Sequence, residues 1–242
     1  MTYHRLLRFV VLLVICFMAP SGARAQVKAL DGITFAGKPD ALFVDARKTA
    51  EALGWSVRWE EAEKKLFVNE RAVVSSPIKR LWDGTALLAV SSLPLLGADV
   101  AWEKPGRTAT LKSGSRSVPV ARGAKRVEVS VANQRLRAYQ GGSLVLETPV
   151  STGRAGHRTP TGAFTAGPIK ARMHRSGLYN GAAMPYSVQV NGNIFIHGFG
   201  SVPRYPASHG CIRVPLDNGN PARWFYEWVD RGTPVRIEGE RR

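Results

Sequence analysis

The chain has 242 residues, with 34 Lys and Arg against 18 Asp and Glu, which gives a formal net charge of +16. Hydrophobic residues make up 44% and charged residues 21%, so there is enough apolar surface for a folded core, and global disorder is disfavoured. Two cysteines exclude a disulfide-rich scaffold and a zinc site built from four cysteines. The length suits one large domain or two small ones.

Residues 1–25 have the three parts of an export signal. Arg5 and Arg8 form a positive start, residues 9–19 are apolar, and residues 23–25 (Ala-Arg-Ala) match a small-x-small cleavage site. The alternative is an uncleaved membrane anchor, but the apolar run is shorter than the roughly 20 residues that span a bilayer. We therefore predict a signal peptide, a secreted protein of the periplasm or cell wall, and no integral membrane span after cleavage.

Residues 41–68 and 86–111 share a sequence pattern at a constant offset of 43. Each copy predicts a strand, a short helix that ends at glycine, an alternating strand, a turn and a last strand. Two copies are too few for a solenoid, so we expect them to pack together as one small module. The matched positions are Val44 and Leu87, Leu53-Gly54 and Leu96-Gly97, Val57 and Val100, and Trp59-Glu60 and Trp102-Glu103.

This pattern resembles the copper-amine-oxidase N-terminal-like domain of exported bacterial proteins, over roughly residues 27–113. Despite that name we predict no copper site, because residues 26–113 contain no His, Cys or Met and therefore lack soft and imidazole ligands. The tryptophans of this region offer a platform for stacking sugars, with packing in the core of the repeat as the alternative. They are Trp55, Trp59, Trp82 and Trp102.

The second half of the chain indicates a β-rich domain with one or two helices. Valines alternate from 127 to 131, a turn follows at Gly141-Gly142, and a helix is predicted to begin at Asn220-Pro221. The overall class is therefore α+β. The predicted organisation is a signal peptide at 1–25, a two-repeat module at 26–113, a linker at 114–123 and a second domain at 124–242.

No acidic residue occurs from 148 to 216, which argues against a carboxylate pair for glycoside hydrolysis and against a carboxylate-rich Mg²⁺ or Ca²⁺ site there. Such a basic field suits a negatively charged substrate and favours a thiolate. The alternative is a solvated basic face that only touches anionic envelope polymers. The basic residues of the stretch are Arg154, Arg158, Lys170, Arg172, Arg175, Arg204 and Arg213.

The same stretch contains the only cysteine that signal cleavage would leave, Cys211, which marks it as a candidate reactive thiol. A cysteine nucleophile needs a base and donors for the developing oxyanion. His197 and His209 are candidate bases, and Gly210 permits close approach of the backbone. The alternative is a catalytic zinc held by His197, His209 and Cys211.

Ile-His-Gly at 196–198 is followed by Pro-Ala-Ser-His-Gly-Cys-Ile-Arg at 206–213. These segments resemble the L,D-transpeptidase (YkuD-type) catalytic domain, and the resemblance extends over about residues 124–238. The Val-Ser-Thr-Gly segment at 150–153 and the Thr-Pro-Thr-Gly turn at 159–162 match the family upstream.

The resemblance implies roles for individual residues. Cys211 is the nucleophile, His197 the base, and the carbonyl of Gly198 orients the base. Ser208, His209 and Gly210 shape the oxyanion and substrate side of the site, and Arg213 holds a substrate carboxylate. We expect Met184 and Tyr186 to border the pocket. Only ten residues separate His197 from Ser208, fewer than in better-known members of the family. The resemblance therefore does not predict which acceptor receives the acyl group.

The implied activity is that of a cysteine-dependent acyltransferase on peptidoglycan stem peptides. It releases D-Ala through a thioester acyl-enzyme and forms 3–3 cross-links or related amide bonds, and thereby contributes to cell-wall synthesis and cell shape. It needs no metal or organic cofactor, and carbapenem-type inhibitors are expected to acylate Cys211. The alternatives are an L,D-carboxypeptidase and an inactive cell-wall-binding module. No nucleic acid is expected as a partner.

Overall fold

A computed structural model describes residues 28–73 and 79–239, so the predicted signal peptide lies outside the described residues. The described part is mostly β, with 50% of its residues in strands and 11% in helices. The predicted α+β class therefore overstates the helical share, although the expected helices of both copies and of the carboxyl-terminal region are present, that of the second copy as a 3₁₀ helix.

The amino-terminal half contains nine strands and two short helices. In chain order these are β1 (Leu30–Phe35), β2 (Lys38–Asp45), α1 (Ala46–Leu53), β3 (Val57–Glu60), β4 (Lys65–Val68), β5 (Arg71–Ala72), β6 (Leu87–Ala89), a 3₁₀ helix (Val90–Leu96), β7 (Asp99–Lys104), β8 (Thr108–Ser113) and β9 (Arg116–Arg122).

The two sequence copies have the same order of elements, namely strand, helix and hairpin. Both helices end at a glycine in the left-handed region, Gly54 with φ of 73° and Gly97 with φ of 101°. In the first copy the Asp45 carboxylate caps α1 by accepting bonds from two backbone N–H groups. The second helix has 3₁₀ geometry and contains Pro94, which has no N–H to donate to an α-helical bond.

The amino-terminal half has its own hydrophobic core. Its six-stranded sheet has the order β6-β2-β1-β9-β8-β7, and β3, β4 and β5 form a second, smaller sheet. Leucine and valine side chains from both sheets and both helices fill the space between them, and the largest are Leu88, Leu93 and Leu111. The two copies are therefore packed as one unit.

The segment predicted as a linker, 114–123, is instead largely β9. This strand pairs with β8 in antiparallel fashion and with β1 in parallel fashion. Val118 and Val120 point into the amino-terminal core and are almost completely buried. Their alternation with polar residues is a strand signal that the surrounding Gly, Ser and Arg obscure in the sequence.

The remaining strands and the last helix form the carboxyl-terminal half. They are β10 (Lys125–Ser130), β11 (Arg135–Gln140), β12 (Ser143–Pro149), β13 (Gly162–Thr165), β14 (Lys170–Arg175), β15 (Ala183–Asn191), β16 (Ile194–Phe199), β17 (Ile212–Pro215), α2 (Pro221–Trp228) and β18 (Pro234–Glu238).

Two sheets of this half enclose a second core. One has the order β12-β11-β10-β18-β13 and the other β14-β15-β16-β17. Helix α2 contributes the fully buried Phe225 and Trp228, and the parallel pair β16 and β17 lies at one end of the smaller sheet. This pair carries the residues that the sequence marks as catalytic.

The two halves contact each other through a common hydrophobic cluster and through buried hydrogen bonds. Ile33 and Phe35 of β1 belong to the same hydrophobic cluster as α2. The buried Gln140 amide accepts bonds from the Thr34 N–H at 3.1 Å and the Trp228 indole N–H at 3.0 Å. Gln140 therefore ties the amino-terminal sheet to α2 across the junction.

Candidate active site

Strands β16 and β17 bring the predicted catalytic residues together. Their parallel register places His197 beside Arg213, so these two side chains share one face of the sheet. Cys211 precedes β17 by one residue and Arg213 by two, which puts its side chain on the same face. All three line one cavity of about 440 Å³.

The hairpin of β14 and β15 supplies the opposite wall of this cavity. Leu178 and Tyr179 in its turn and Met184 on β15 reach the cavity, together with His174 on β14. None of the described residues that line the cavity is Asp or Glu. The cavity therefore combines an apolar and aromatic wall with basic and imidazole groups.

His197 is 5% exposed, and its Nδ1 lies 2.9 Å from the carbonyl oxygen of Gly198. Because a carbonyl only accepts, Nδ1 carries the proton of the neutral ring and Nε2 is left as an acceptor. Burial lowers the pKa of His197 to about 4, although the bond to Gly198 opposes the shift. His197 is thus neutral at pH 7 and able to take a proton.

Burial also dominates the titration of Cys211, whose pKa is raised above that of an ordinary thiol. A backbone hydrogen bond from Phe195 and the charge of Arg213 act in the opposite direction but do not outweigh burial. The thiol itself lies 3.6 Å from the carbonyl of Asn193. Desolvation of Cys211 therefore opposes the effect of the basic residues, which the sequence predicts to favour a thiolate.

Ser208 and Gly210 build the turn that presents the cysteine. The Ser208 hydroxyl donates to the carbonyl of Cys211 and accepts from the Gly210 N–H at 3.1 Å. Thr159 donates its hydroxyl to the Gly210 carbonyl at 2.7 Å and accepts from the Gly153 N–H at 2.8 Å. Gly210 has a φ of 113°, a backbone conformation that residues with a side chain rarely adopt.

In this network the Ser208 hydroxyl and the Gly210 N–H bond to each other within the turn and are not free to bind a ligand in the cavity. The Gly210 N–H is already bonded to Ser208, and Gly210 is not among the residues that line the cavity. Ser208 does line it, although its hydroxyl is used within the turn. Direct contact of either residue with a substrate stays a prediction.

His209 lies at the edge of the cavity and has surroundings unlike those of His197. Its Nε2 is 2.8 Å from the Arg154 guanidinium, and its ring packs beside His157 and Tyr179. A guanidinium only donates, so Nε2 is the acceptor and the ring is neutral. Desolvation and then the charge of Arg154 lower the pKa of His209. The two imidazoles are therefore fixed by different partners.

The other predicted substrate contacts divide into two groups. Arg213 stacks on Phe199, with its guanidinium carbon 4.0 Å from the ring centroid, and lines the cavity with Met184. Tyr186 is not part of the cavity wall; its ring lies 5.9 Å from that of Tyr226 on α2. A positive φ of 55° at Tyr186 interrupts the alternation of β15, so the prediction that Tyr186 borders the pocket is wrong.

Sequence reasoning misses several residues of the site. In the sequence Arg154 is only one member of a basic stretch, and His174, which stacks on Phe195 at 4.8 Å, belongs to no motif. Pairing of His174 with Met184 across β14 and β15 brings it to the cavity. Thr159 stands in the Thr-Pro-Thr-Gly turn, a signal that marks the position but not its bond to Gly210.

Among residues 28–73 and 79–239, no group of three or more His, Cys, Asp or Glu side chains is arranged to hold a metal ion. The trio His197, His209 and Cys211, the zinc alternative of the sequence, therefore does not form such a group. No helix of the described ranges is both long and apolar enough to cross a membrane.

Residues 124–237 match the family model of YkuD, described as the L,D-transpeptidase catalytic domain. No curated protein sequence matches the chain. The amino-terminal resemblance to a copper-amine-oxidase N-terminal-like domain lies outside the matched residues and stays a prediction.

Several solved structures are similar to the chain. An L,D-transpeptidase from Stackebrandtia nassauensis is 28% identical over 49% of this chain and 57% of its own, with a TM-score of 0.44. One from Xylanimonas cellulosilytica is 31% identical over 48% of this chain and 61% of its own, with a TM-score of 0.43. An L,D-transpeptidase in complex with imipenem is 15% identical over 89% of this chain and 96% of its own, with a TM-score of 0.43.

The chain thus spans somewhat over half the length of the first two structures. The match to the family model begins two residues after β9 ends and includes β16, β17 and all the residues that line the cavity. Residues 124–237 are therefore similar to the YkuD-type L,D-transpeptidase catalytic domain.

Proposed function

We propose that this protein is an exported L,D-transpeptidase that acts on peptidoglycan stem peptides through a thioester on Cys211. The observation that carries the proposal is that Cys211 and a buried, neutral His197 line the same cavity, whose described wall contains no Asp or Glu, in the region that matches the YkuD family model. Export rests on the sequence of residues 1–25, and with it the location in the periplasm or cell wall.

In the first half-reaction, Nε2 of His197 accepts the thiol proton of Cys211 as the sulfur attacks the carbonyl between the third residue and the terminal D-Ala. The tetrahedral intermediate collapses, and the protonated imidazole gives its proton to the departing amine. D-Ala leaves, and the stem peptide remains bound to sulfur as a thioester. The Gly198 carbonyl keeps the Nδ1 proton in place, so Nε2 is the nitrogen that exchanges protons.

In the second half-reaction, an acceptor amine attacks the thioester. His197 takes a proton from this amine and returns one to the sulfur, so that an amide forms and the thiol is restored. With a second stem peptide as the acceptor, the product is a 3–3 cross-link. With water as the acceptor, the same site acts as an L,D-carboxypeptidase.

Two features of the cavity fit the binding of an anionic peptide. Arg213 offers a guanidinium within the cavity, and its stacking on Phe199 limits the orientations that it adopts. The absence of Asp and Glu from the described cavity wall removes repulsion of the terminal carboxylate. Carbapenem-type β-lactams place a strained amide and a carboxylate together, so we propose them as acylating inhibitors of Cys211.

The test is incubation of the protein with disaccharide-tetrapeptides, followed by mass spectrometry of the products. Cross-linked dimers that lack one D-Ala are expected, and they should be absent with Cys211→Ala. Tripeptide monomers alone would establish the carboxypeptidase. Product formation that persists in Cys211→Ala contradicts the mechanism, and no change with either protein favours the inactive wall-binding module.

A further inference from the structure

A second depression lies at the junction of the two halves, on residues that the catalytic cavity does not use. Its volume is about 870 Å³. It is lined by helix α1, strands β3 and β4, the segment 80–86 and the turn between β11 and β12. Asp31 fixes that turn, because its carboxylate accepts bonds from the Ser143 hydroxyl and the Gly142 N–H. We call this depression the junction groove.

The four tryptophans of the amino-terminal region have different surroundings. Trp55 donates its indole N–H to Ser113 at 2.9 Å and packs on the amino-terminal core. Trp82 packs on the carboxyl-terminal core. Trp59 and Trp102, which occupy the same position in the two sequence copies, are 38% and 37% exposed. Of this matched pair, Trp59 lines the junction groove and Trp102 does not.

Trp59 is held in one orientation at the groove. The Arg80 guanidinium carbon lies 4.6 Å from its ring centroid, and the Trp59 indole N–H donates to Glu61 at 2.6 Å. Arg80 is itself anchored to the Gly84 carbonyl at 2.8 Å. The Arg80 guanidinium covers one face of the indole, so a sugar ring that stacks on Trp59 would use the other face, beside the polar groups of the groove.

The charges of the junction groove are balanced, although the chain has a net charge of +16. A polyanion would meet a carboxylate for every cation here, whereas a neutral polar chain finds hydrogen-bond donors and acceptors in equal supply. The acids that line it are Asp45, Glu51 and Asp83, and the bases are Arg47, Lys48 and Arg80.

The groove also continues beyond its first part. Asp83 and Leu144 line both the junction groove and a neighbouring depression of about 440 Å³ along β12. The neighbouring part again pairs a base with an acid, Arg135 with Glu147. A compact ligand would fill only one of the two depressions, whereas an extended chain can occupy both.

We infer that the junction groove binds a neutral polysaccharide, with a sugar ring stacked on Trp59. Its identification with the N-acetylated glycan backbone of peptidoglycan rests on the proposed function, while the neutral charge and the stacking of the ligand rest on the groove alone. Glycan strands are neutral where the lactyl carboxyl of each muramic acid is bound to a peptide. The groove would then hold the glycan while the catalytic domain processes a stem peptide attached to it.

The first experiment titrates Cys211→Ala protein with the hexamer of N-acetylglucosamine, with affinity measured by calorimetry. Saturable binding is expected, and Trp59→Ala should weaken it at least tenfold. Trp102→Ala is the matched control and should leave the affinity within twofold, because it removes an equally exposed indole outside the groove. Trp59→Tyr should keep most of the binding, which separates loss of stacking from loss of folding. Absence of saturable binding, or equal loss in both alanine variants, overturns the inference.

The second experiment separates the groove from the active site. With active protein, Trp59→Ala should raise KM several-fold for tetrapeptides carried on long glycan strands and leave kcat/KM for the free tetrapeptide unchanged. If the proposed function fails, neither substrate is turned over, but hexamer binding still reports on the groove. If turnover occurs and the two substrates respond equally to Trp59→Ala, the groove has no part in holding the glycan.

Discussion

Burial acts in opposite directions on the two titratable groups at the centre of the cavity. It lowers the pKa of His197 and raises that of Cys211, so the pair rests as neutral imidazole and neutral thiol at pH 7. Proton transfer between them is then favourable only as the sulfur bonds to a carbonyl. A protonated thiol at rest is also oxidised less readily than a thiolate.

The lowered pKa of His197 makes the fold sensitive to acid. An unfolded histidine titrates near 6.5, so between pH 6.5 and 4 the unfolded chain binds more protons than the native protein. The stability that His197 contributes is therefore present above pH 6.5 and lost as the pH falls through 4, up to about 3 kcal/mol from a shift of this size. Urea unfolding at pH 7, 5.5 and 4 should show this loss, and His197→Gln should lack that part of it. An equal pH dependence in both proteins would contradict the assignment.

The raised pKa of Cys211 predicts slow alkylation at neutral pH. The rate of its reaction with iodoacetamide, followed on the Cys211 peptide by mass spectrometry, should rise with pH and have its midpoint above the roughly 8.5 of a free thiol. Arg213 lowers this pKa, so Arg213→Gln should move the midpoint higher still. A midpoint below that of free cysteine would mean that the basic residues outweigh desolvation.

At the scale of elements, the turn from Ser208 to Cys211 is held by a second turn, at residues 159–162. The Thr159 hydroxyl is buried and bridges Gly153 and Gly210. Thr159→Ala should therefore leave both backbone groups without this partner and destabilise the protein by about 1–3 kcal/mol. It should also lower kcat more than it raises KM, because the position of Cys211, the proposed nucleophile, changes.

Thr159→Ser is the matched control for this prediction, since it keeps the hydroxyl and removes only a methyl group. Thermal unfolding and steady-state kinetics of the two variants are the measurements. The serine variant should retain most of the activity and stability. If alanine and serine variants behave alike, the methyl group rather than the hydrogen bonds is what Thr159 contributes.

Elements also explain which parts of the site could be predicted from the sequence. The bond from His197 to Gly198 and the turn around Gly210 are local, so the motif that contains them carries their geometry. His174 reaches the cavity only through the pairing of β14 with β15, which local patterns do not specify. The prediction for Tyr186 fails because the alternation of side chains along β15 is interrupted at its positive φ. The residues around Tyr186 contain no sequence signal for this backbone conformation.

The same limits apply to the fold. The glycine ends of both repeat helices follow from residues close in sequence, and both are present at the expected positions. The sequence predicts a linker where β9 lies, because the burial of this strand depends on β1, more than 80 residues away, as its parallel partner. Long-range pairing of this kind is a property of the assembled sheet rather than of the segment.

At the scale of the whole molecule, Gln140 connects the two halves through a buried amide. Its side-chain oxygen accepts from Thr34 and Trp228, and its nitrogen donates to the Thr34 hydroxyl at 3.0 Å and the Gly123 carbonyl at 3.2 Å. Every donor and acceptor of the amide is used, although the side chain is fully buried. The two cores are therefore expected to unfold together in one transition.

Replacing this amide should separate the halves. Gln140→Leu keeps much of the volume but leaves the Thr34 N–H and the Trp228 indole N–H buried without acceptors, at a cost of about 1–3 kcal/mol for each. Calorimetry of the wild-type protein should show a single transition, and the variant should show a lower Tm with two resolved transitions. The control is a substitution of Arg137, which lies on the exposed face of the same strand; Arg137→Leu should leave a single transition. Two transitions already in the wild type, or one in the Gln140→Leu variant with an unchanged Tm, would mean that the halves are independent of this contact.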